Sequence, residues 1–320
     1  MFFEGSEKKA EIIIDAGRLS LLTDFDDAFW AQMVEHCQAK ILSSISNEHC
    51  KAFLLSESSL FVWQDHLVIL TCGNTRLVNA VEYFLQAIDP SLVLQVIYQR
   101  KNEHFAYAQP TNFIDDVKLL KSHTPGKAYR FGEMYSHHNY LFHSNQAYQA
   151  EASDKTYELL AYQISKDASE HLTDEGLSVT DIREFLRLDE WLADFELDDF
   201  AFEPFGYSLN ALRGSDYLTI HITPQAHSSY VSFESNLNLI ELTPTLLDIL
   251  KPASFDLVTF NAEDFMSQAQ AHLPDFYISK DLVESVLDNG YCVNFATYLR
   301  PQIEFGQPRR LDLAGDNYEL

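Results

Sequence analysis

The chain has 320 residues, and its 48 acidic residues outnumber its 22 basic ones, which gives a formal net charge of −26 at pH 7. With 46% hydrophobic and 13% aromatic residues, it has the composition of a globular protein with a sizeable core, which excludes a disordered or fibrous chain. So acidic a protein repels phosphates, which argues against nucleic-acid binding and favours small cationic ligands.

Short segments rich in β-branched and aromatic residues recur along the chain and predict β-strands. In chain order they are residues 11–14, 52–55, 60–63, 67–71, 92–98, 217–223, 230–234, 255–260 and 291–298. Apolar residues at helical spacing predict helices over residues 24–43, 75–87, 112–122, 246–250 and 280–287. Tight polar turns at residues 64–66 and 213–216 favour antiparallel pairing. We therefore expect an α+β protein with antiparallel sheets and helices on their outer faces.

Three polar segments interrupt this pattern. Residues 144–154 predict a linker between two halves of similar composition, although no clean sequence repeat is visible. The acidic residues 189–199 predict a solvated loop or short helix. The histidine-rich residues 136–143 lack companion ligands, so we interpret them as a surface strand or loop and expect no metal site.

The cysteines and the N-terminus bear on the compartment. None of the four cysteines has the paired spacing of a zinc site, and a reduced setting fits them best. They are Cys37, Cys50, Cys72 and Cys292. The N-terminus lacks the features of a signal peptide, and no apolar run approaches membrane-spanning length. We therefore expect a cytoplasmic protein.

Two predicted hairpins set polar side chains opposite one another. A turn centred on Asp65 places Ser58 opposite Cys72, and a turn centred between residues 214 and 215 places Ser208 opposite His221. Directly opposed side chains have Cβ atoms about 5 Å apart, close enough to act on one group. A shift of one residue in either turn would send one partner to the other face of the sheet.

These residues also fit simpler roles. His221 points away from the aliphatic face of its strand, as a hydrogen-bonded sheet histidine would. Cys72 fits an inert buried cysteine, and Ser58 fits a bend between two short strands. The hairpin pattern alone leaves both interpretations open.

Several motifs, in the same order, resemble the eukaryotic-type S-adenosylmethionine decarboxylase family. The string LLSESSLFV at residues 54–62 resembles the self-cleavage site of that family. Further matches are FFEGSEK at 2–8, LTCGNT at 70–75, FEPFGYSLN at 202–210, TIHITP at 219–224 and SYVSFESN at 229–236, with weaker similarity in YQRKN at 98–102 and KPASF at 251–255. The resemblance therefore runs through most of the chain.

The resemblance implies a single domain, residues 1–320, folded as a four-layer αββα sandwich of two antiparallel sheets. It implies a proenzyme that cuts itself between Glu57 and Ser58 into a β chain, residues 1–57, and an α chain, residues 58–320. Ser58 would attack the carbonyl of Glu57 and end as a pyruvoyl group. Ser208 would stabilise the oxyanion, and His221 would remove the α-proton of residue 58. No metal, pyridoxal phosphate or other external cofactor is implied.

In the implied reaction, the pyruvoyl group condenses with the α-amine of S-adenosylmethionine and accepts the electrons released with carbon dioxide. Cys72 would return a proton to the α-carbon. Glu57 would contact the substrate, Glu4 would lie near the pyruvoyl group, and Glu7 would lie near the polar parts of the substrate.

The resemblance also implies a nucleoside site. Phe3 and Phe202 would hold the adenine between their rings. Gln225 stands where the family usually has a glutamate that holds the ribose hydroxyls, and an amide loses that charge-assisted bond. Weaker binding of the nucleoside, or a different substrate, therefore stays open.

A second implied site concerns regulation. Some members of the family bind putrescine in a buried acidic cluster, and the corresponding residues here are Glu11, Asp154, Thr156, Glu158 and Glu234. The alternative is an exposed acidic edge. Leu70 stands where putrescine-responsive members have a lysine, so the effect of putrescine stays open. Relatives include both monomers and homodimers, which leaves the oligomeric state open too.

Two other functions compete with decarboxylation of S-adenosylmethionine. The first is a pyruvoyl decarboxylase of another amino acid, which the departure at Gln225 suggests. The second is a non-catalytic paralogue that activates a partner decarboxylase. The presence of Ser58, Cys72, Ser208 and His221 argues against the second, because a purely regulatory partner has no need of them.

Overall fold

The computed structural model describes residues 7–104, 106–146, 148–151, 153–224 and 229–301, whose strands form two sheets. Sheet 1 contains β1 Lys8–Ile14, β2 Ile41–Ser46, β3 Cys50–Leu55, β4 Ser58–Trp63, β5 His66–Thr71, β6 Val93–Lys101, β7 Gly126–Gly132 and β8 His138–Ser144. Sheet 2 contains β9 Thr156–Tyr162, β10 Glu196–Ala201, β11 Tyr207–Arg213, β12 Asp216–Thr223, β13 Tyr230–Ser235, β14 Ser254–Phe260, β15 Ile278–Val286 and β16 Cys292–Leu299. The strand pairs in both sheets are antiparallel, as predicted.

The two sheets have the same topology. The order in sheet 1 is β2-β3-β4-β5-β1-β6-β8-β7, and the order in sheet 2 is β10-β11-β12-β13-β9-β14-β16-β15. Adding eight to each strand number of sheet 1 gives sheet 2. The segment after β8 leads from one sheet to the other, which confirms the predicted linker between two halves. The structure therefore shows a repeat of architecture that the sequence does not display.

The helices cover the outer face of each sheet. They are α1 Leu21–Asp24, α2 Asp27–His36, α3 Leu77–Ala87, α4 Phe113–His123, α5 Lys166–Leu172, α6 Val179–Phe185, α7 Leu188–Trp191, α8 Leu239–Leu250 and α9 Phe265–His272. Apolar side chains of α2, α3 and α4 pack on sheet 1, and those of α5 to α9 pack on sheet 2. The result is the four-layer αββα sandwich that the resemblance implied. Among the described residues, no helix is long and apolar enough to cross a membrane.

The layer between the sheets is mixed in polarity. One apolar cluster brings Ile97 and Leu141 of sheet 1 against Val258 and Phe295 of sheet 2. Beside it lie buried polar and charged side chains, which include Lys9 of β1. Because both faces of the central strands are buried, polar residues on these strands point into the protein and need partners there.

Several elements differ from the predictions. The expected helix over residues 24–43 is shorter, because the chain turns at Gln38, where φ is 69°, and continues as β2. The expected helix over residues 280–287 is wrong, since this segment is the edge strand β15. The helix predicted at residues 246–250 is the last part of the longer α8.

Two polar segments were predicted correctly only in part. Most of the histidine-rich segment, residues 136–143, belongs to a strand, as one of the two alternatives predicted, but this strand, β8, pairs with β6 and β7 and is mostly buried rather than at the surface. Within residues 189–199, the first three belong to the short helix α7, as one alternative predicted, but the last four belong to β10 rather than to a solvated loop. Asp199 there receives two hydrogen bonds from Arg183, so the acidic charge is partly neutralised inside the fold.

Candidate active site

A cavity of about 560 Å³ opens where the turn before β4 approaches the start of β11 and the end of β12. Its volume falls within the range of small-molecule sites, about 300–1,000 Å³. Glu57, Ser58 and Cys72 line it from sheet 1, and Ser208 and His221 line it from sheet 2. The structure therefore brings together five of the residues expected to carry cleavage and catalysis.

The two hairpin predictions differ in outcome. Ser208 pairs with His221, as predicted. Ser58 pairs with Thr71 and not with Cys72, because the turn between β4 and β5 is centred between Gln64 and Asp65. The expected pairing of Ser58 with Cys72 is therefore wrong by one residue.

Cys72 instead lies beside the residue on the other side of the bond to be cut. Its backbone N–H donates to the carbonyl of Glu57 at 3.1 Å, and its Sγ lies 3.6 Å from the same oxygen. Gly73, with φ of +61°, turns the chain next to it, and a Cβ built at this glycine would lie 3.5 Å from Oε2 of Glu57. Cys72 thus stays at the scissile bond despite the shifted register.

Ser58 has an unusual backbone conformation. Its φ is 134°, a value that non-glycine residues rarely adopt, and only 2% of its surface is exposed. Its Oγ lies 2.9 Å from Nε2 of His221. The residue that would act as nucleophile is therefore both strained and in contact with a base.

His221 is held on both ring nitrogens. Ser208 Oγ lies 3.1 Å from Nδ1, opposite the contact of Nε2 with Ser58. Burial lowers the pKa of His221 to about 4, while Glu7 acts in the opposite direction and Lys101 adds to the lowering. The imidazole is therefore neutral near pH 7 and able to accept a proton.

Burial acts on Cys72 and Glu57 in the opposite sense, because their charged forms are anions. It raises the pKa of the Cys72 thiol to about 12, and Glu57 adds to this effect. Burial also raises the pKa of Glu57, against the influence of Lys8. Lys8 Nζ donates to the carbonyl of Gly73 at 2.7 Å. This hydrogen bond holds the positive charge of Lys8 beside the turn at Gly73. The thiol is therefore protonated at neutral pH and able to donate.

The predicted substrate residues are only partly placed. Phe202 lines the cavity, and its N–H donates to the carbonyl of Gly206 at 2.9 Å. Glu7 does not line it: this residue is 2% exposed and is bound by Lys101 at 2.8 Å and by Ser232 at 2.7 Å. Phe3, Glu4 and Gln225, which were also predicted to belong to the site, lie outside the described residues.

Two lysines neutralise part of the predicted acidic cluster. Lys9 Nζ lies 3.2 Å from Glu158 and 2.9 Å from Glu234, and Lys101 Nζ lies 2.7 Å from Glu158. All four residues are at least nine-tenths buried. Burial alone would lower the pKa of Lys9, but Glu234 and Glu158 raise it above its usual value. Lys9 pairs with Leu70 in the β1–β5 ladder, so a cation stands directly opposite the position where the resemblance indicated a missing lysine.

The remaining acids of the cluster line a second cavity. It has a volume of about 240 Å³ and is lined in part by Glu11, Asp154 and Thr156. Burial raises the pKa of Glu11 to about 7, and Asp154 adds to it. Burial likewise raises the pKa of Asp154, although a hydrogen bond from Tyr291 opposes this. These raised pKa values indicate two carboxyl groups that lack sufficient positive charge around them.

Sequence reasoning missed three residues that touch His221 or its partners. Ser59 Oγ and Thr219 Oγ1 lie 3.4 Å and 2.8 Å from Nε2 of His221, and both contact Oδ1 of Asn210. Alternation along a strand was the available signal, since Asn210 lies two residues after Ser208 and Thr219 two residues before His221. Each therefore shares a sheet face with a residue that had been singled out.

Comparisons with known proteins show which family the chain resembles. Residues 1–299 match the family described as adenosylmethionine decarboxylase. A curated S-adenosylmethionine decarboxylase proenzyme from Trypanosoma brucei brucei is 34% identical over 277 residues, which cover 81% of this chain and 75% of that protein. The proenzyme of the same name from Dictyostelium discoideum is 30% identical over 326 residues, 92% of this chain and 85% of that protein.

A solved structure supports the fold as well. The crystal structure of the Trypanosoma brucei AdoMetDC-delta26 monomer matches with a TM-score of 0.61 and 25% sequence identity. The match covers 76% of this chain and 99% of that one. The similarity thus extends from short motifs to the arrangement of both sheets.

Proposed function

Because the chain belongs to the adenosylmethionine decarboxylase family, we propose that it decarboxylates S-adenosylmethionine with a pyruvoyl group made from its own Ser58. It is an enzyme, a carboxy-lyase, and its product is the aminopropyl donor for spermidine and spermine synthesis. The observation that carries the proposal is the contact of 2.9 Å between Ser58 Oγ and Nε2 of His221, made by a strained serine at the predicted cleavage site.

Cleavage starts with the uncleaved chain. Ser58 Oγ attacks the carbonyl carbon of Glu57 while His221 accepts its proton, and Ser208 stabilises the oxyanion. The C–N bond between the two residues breaks as His221 gives the proton to the leaving nitrogen, which leaves an ester between Glu57 and the hydroxyl oxygen of Ser58 and returns the imidazole to its neutral form. Strain at Ser58 favours this step, since breaking the peptide bond releases it.

His221 then acts a second time. It removes the α-proton of residue 58, and the bond between Cβ and Oγ of that residue breaks, which releases the carboxylate of Glu57 and leaves dehydroalanine at position 58. The dehydroalanine tautomerises to an imine with a methyl group, and water hydrolyses this imine, which releases ammonia and yields the pyruvoyl group. The products are a β chain, residues 1–57, and an α chain, residues 58–320, of one original domain.

The pyruvoyl group supplies an electron sink for the electrons released with carbon dioxide. The residues of the chain bind the substrate and move its protons. Cys72, which is neutral at physiological pH, donates a proton to the α-carbon after carbon dioxide leaves. Phe202 in the cavity wall stacks on the adenine, and Glu57 contacts the substrate at the mouth of the turn.

Three further binding roles rest on the family resemblance. Phe3 would complete the adenine site, Glu4 would lie near the pyruvoyl group, and Gln225 would contact the ribose. We propose that Glu7 acts indirectly, because it is bound to Lys101 and Ser232 and influences the charge of His221.

The test is release of carbon dioxide by the purified, processed protein from S-adenosylmethionine, ornithine and arginine. Release from S-adenosylmethionine alone is the expected result, and the Ser58→Ala chain is the inactive control. Preferential release from ornithine or arginine would favour the alternative suggested by Gln225, a decarboxylase of another amino acid. Absence of release from every substrate would favour a regulatory paralogue.

The cavity of Glu11 and Asp154 supports a second proposal: a diamine such as putrescine binds there as an activator. The two carboxyl groups lie in a cavity of about 240 Å³ and have raised pKa values, so a dication would relieve their unfavourable burial. Glu158 and Glu234 contribute less, since Lys9 already binds both.

Calorimetric titration with putrescine tests this site. Because the pKa of Glu11 is about 7, its carboxyl group loses its proton as the pH rises, and binding should strengthen between pH 6 and pH 8. Glu11→Gln should weaken binding, whereas Glu263→Gln, at an exposed acid, should not. Binding that is independent of both pH and Glu11 would contradict the proposal.

The compartment is part of the same proposal. All four cysteines lie within the described residues, and each has a free thiol. Free thiols are typical of reducing compartments, and Cys72 needs its thiol for the proposed proton transfer. We therefore place the reaction in the cytoplasm.

A further inference from the structure

Three hydroxyl groups surround one nitrogen of His221. Ser58, Thr219 and Ser59 have their oxygens 2.9, 2.8 and 3.4 Å from Nε2. A neutral imidazole nitrogen that carries no proton has one lone pair, so these hydroxyl protons compete for it. If Thr219 or Ser59 donated to that lone pair, Ser58 would lose the acceptor for its own proton.

The two serines reach the same histidine because of the backbone at Ser58. Consecutive residues of a regular strand point to opposite faces of the sheet. Ser58 begins β4 with φ of 134°, far from the extended conformation, and its side chain and that of Ser59 both contact His221. The conformation that strains the nucleophile therefore also brings a second serine beside the base.

Asn210 binds the competing hydroxyl groups. Its Oδ1 accepts a hydrogen bond from Ser59 at 2.6 Å and one from Thr219 at 3.3 Å. The residue is completely buried, and within the described part of the chain its amide nitrogen has no hydrogen-bond partner. Only the carbonyl oxygen of this side chain therefore makes hydrogen bonds, and it accepts them from the two hydroxyl groups that lie next to His221.

We propose that Asn210 is a positioning residue that accepts hydrogen bonds from the hydroxyl groups of Ser59 and Thr219. The free lone pair of His221 is then available to the hydroxyl group of Ser58 alone. Asn210 thereby selects the first serine of the Ser58-Ser59 pair as the nucleophile of self-cleavage. Ser208, 3.1 Å from Nδ1, completes the arrangement by accepting the proton that the other ring nitrogen carries. This inference rests on the self-cleavage put forward under the proposed function.

The test compares the effect of Asn210→Leu in two backgrounds. Each full-length chain is made by cell-free synthesis, translation is stopped, and the appearance of the β chain is followed on denaturing gels. In the otherwise unchanged chain, Asn210→Leu should slow cleavage about tenfold, the equivalent of one hydrogen bond at the transition state. In a chain that carries Ser59→Ala and Thr219→Val, it should slow cleavage by less than about twofold, since no competing hydroxyl remains.

The controls separate positioning from folding. Asn294→Leu removes another buried asparagine of sheet 2, which donates to Thr259 outside the cavity, and should leave the rate unchanged. Equal slowing by Asn210→Leu in both backgrounds would mean that Asn210 only supports the fold, and would overturn the proposal. The absence of slowing in the unchanged chain would overturn it too.

One further outcome is decisive. If the Ser59→Ala, Thr219→Val chain no longer cleaves, these hydroxyl groups assist His221 rather than compete for it, and the proposal is wrong. The unsubstituted chain is followed in parallel. If that chain stays intact, self-cleavage itself fails, and this result is distinct from every outcome that concerns Asn210.

Discussion

His221 and Cys72 show how one physical effect produces both a base and an acid. Burial disfavours charge, so it lowers the pKa of the imidazole to about 4 and raises that of the thiol to about 12. Both groups are therefore neutral at pH 7, one ready to accept a proton and the other ready to donate. Pairs of groups whose pKa values are moved apart in this way are typical of acid–base sites.

Two substitutions should separate cleavage from turnover. Ser58→Ala removes the nucleophile and should abolish both cleavage and decarboxylation. Cys72→Ala should cleave but lose about 100-fold or more in turnover, the size of a general-acid contribution. Gel analysis and carbon dioxide release measure the two effects, with Cys292→Ala as the control at a cysteine remote from the cavity. Normal turnover of Cys72→Ala would remove Cys72 from its role.

The pH dependence of cleavage should reflect the low pKa of His221. Cleavage needs the neutral imidazole, which predominates at every pH above the folded-state pKa of about 4. The rate of β-chain appearance should therefore be nearly constant between pH 5.5 and 8. A midpoint near 6.5, the value of an ordinary histidine, would show that burial does not lower this pKa.

For individual residues, the sequence correctly predicted one of the two pairs of opposed side chains. Ser208 and His221 flank a turn whose centre was placed correctly, so their pairing is confirmed. Ser58 and Cys72 flank a turn whose centre was placed on Asp65, half a residue too late, so Ser58 pairs with Thr71. The histidine and its neighbours could be predicted from alternation, whereas φ of 134° at Ser58 depends on packing that no local pattern reports.

Buried ion pairs connect the strands of one sheet to the strands of the other. Lys9 of β1 binds Glu158 of β9 and Glu234 of β13, and Lys101 of β6 also binds Glu158. A buried charge without its partner is costly, so these residues hold the sheets in one specific arrangement only while every partner is present.

Lys9→Met should therefore destabilise the fold. It leaves Glu234 and part of Glu158 without a buried counter-charge, which typically costs about 3–5 kcal/mol. Lys155→Met breaks the more exposed pair with Glu263 and should cost less than about 1 kcal/mol. Urea unfolding of the uncleaved Ser58→Ala chain measures both, so that a single chain unfolds. Equal effects of the two substitutions would contradict this account of the ion pairs.

The kind of side chain that a strand carries explains which strands could be predicted from the sequence. Strands such as β5 and β14 are rich in β-branched and aromatic residues and were predicted within one or two residues. β8 was predicted only as a surface strand or loop, because its histidines and asparagine are polar, whereas they occupy a buried polar layer in which Asn139 donates to Gln99. β15 resembles a helix because its exposed face carries Leu282 and Val286 between charged residues, which hides the alternation of a strand.

For the molecule as a whole, the repeated topology places the reacting groups. Ser58 begins β4 and His221 lies in β12, and these two strands occupy the same position in their respective sheets. The cavity forms where the two equivalent strands face one another. The sequence shows two halves but no repeat, since strand order depends on which segments pair and not on shared residues.

The strand order also predicts what happens to the fragments after cleavage. The β chain, residues 1–57, includes β1, which lies in the interior of sheet 1 with β5 on one side and β6 on the other. A cut between β3 and β4 leaves the hydrogen bonds of β1 with β5 and with β6 intact. The two chains should therefore elute together in size-exclusion chromatography without denaturant and separate only when unfolded. Spontaneous separation of the fragments would contradict the described sheet.

The proposed enzyme must cut the peptide bond before Ser58 by itself, and the intact mass of the purified protein under denaturing conditions shows whether it does. We expect a fragment of residues 1–57 and a larger fragment whose mass is lower than that of a chain starting with serine by the mass of ammonia. Fully active protein of a single mass, with an unmodified serine at position 58, would contradict it.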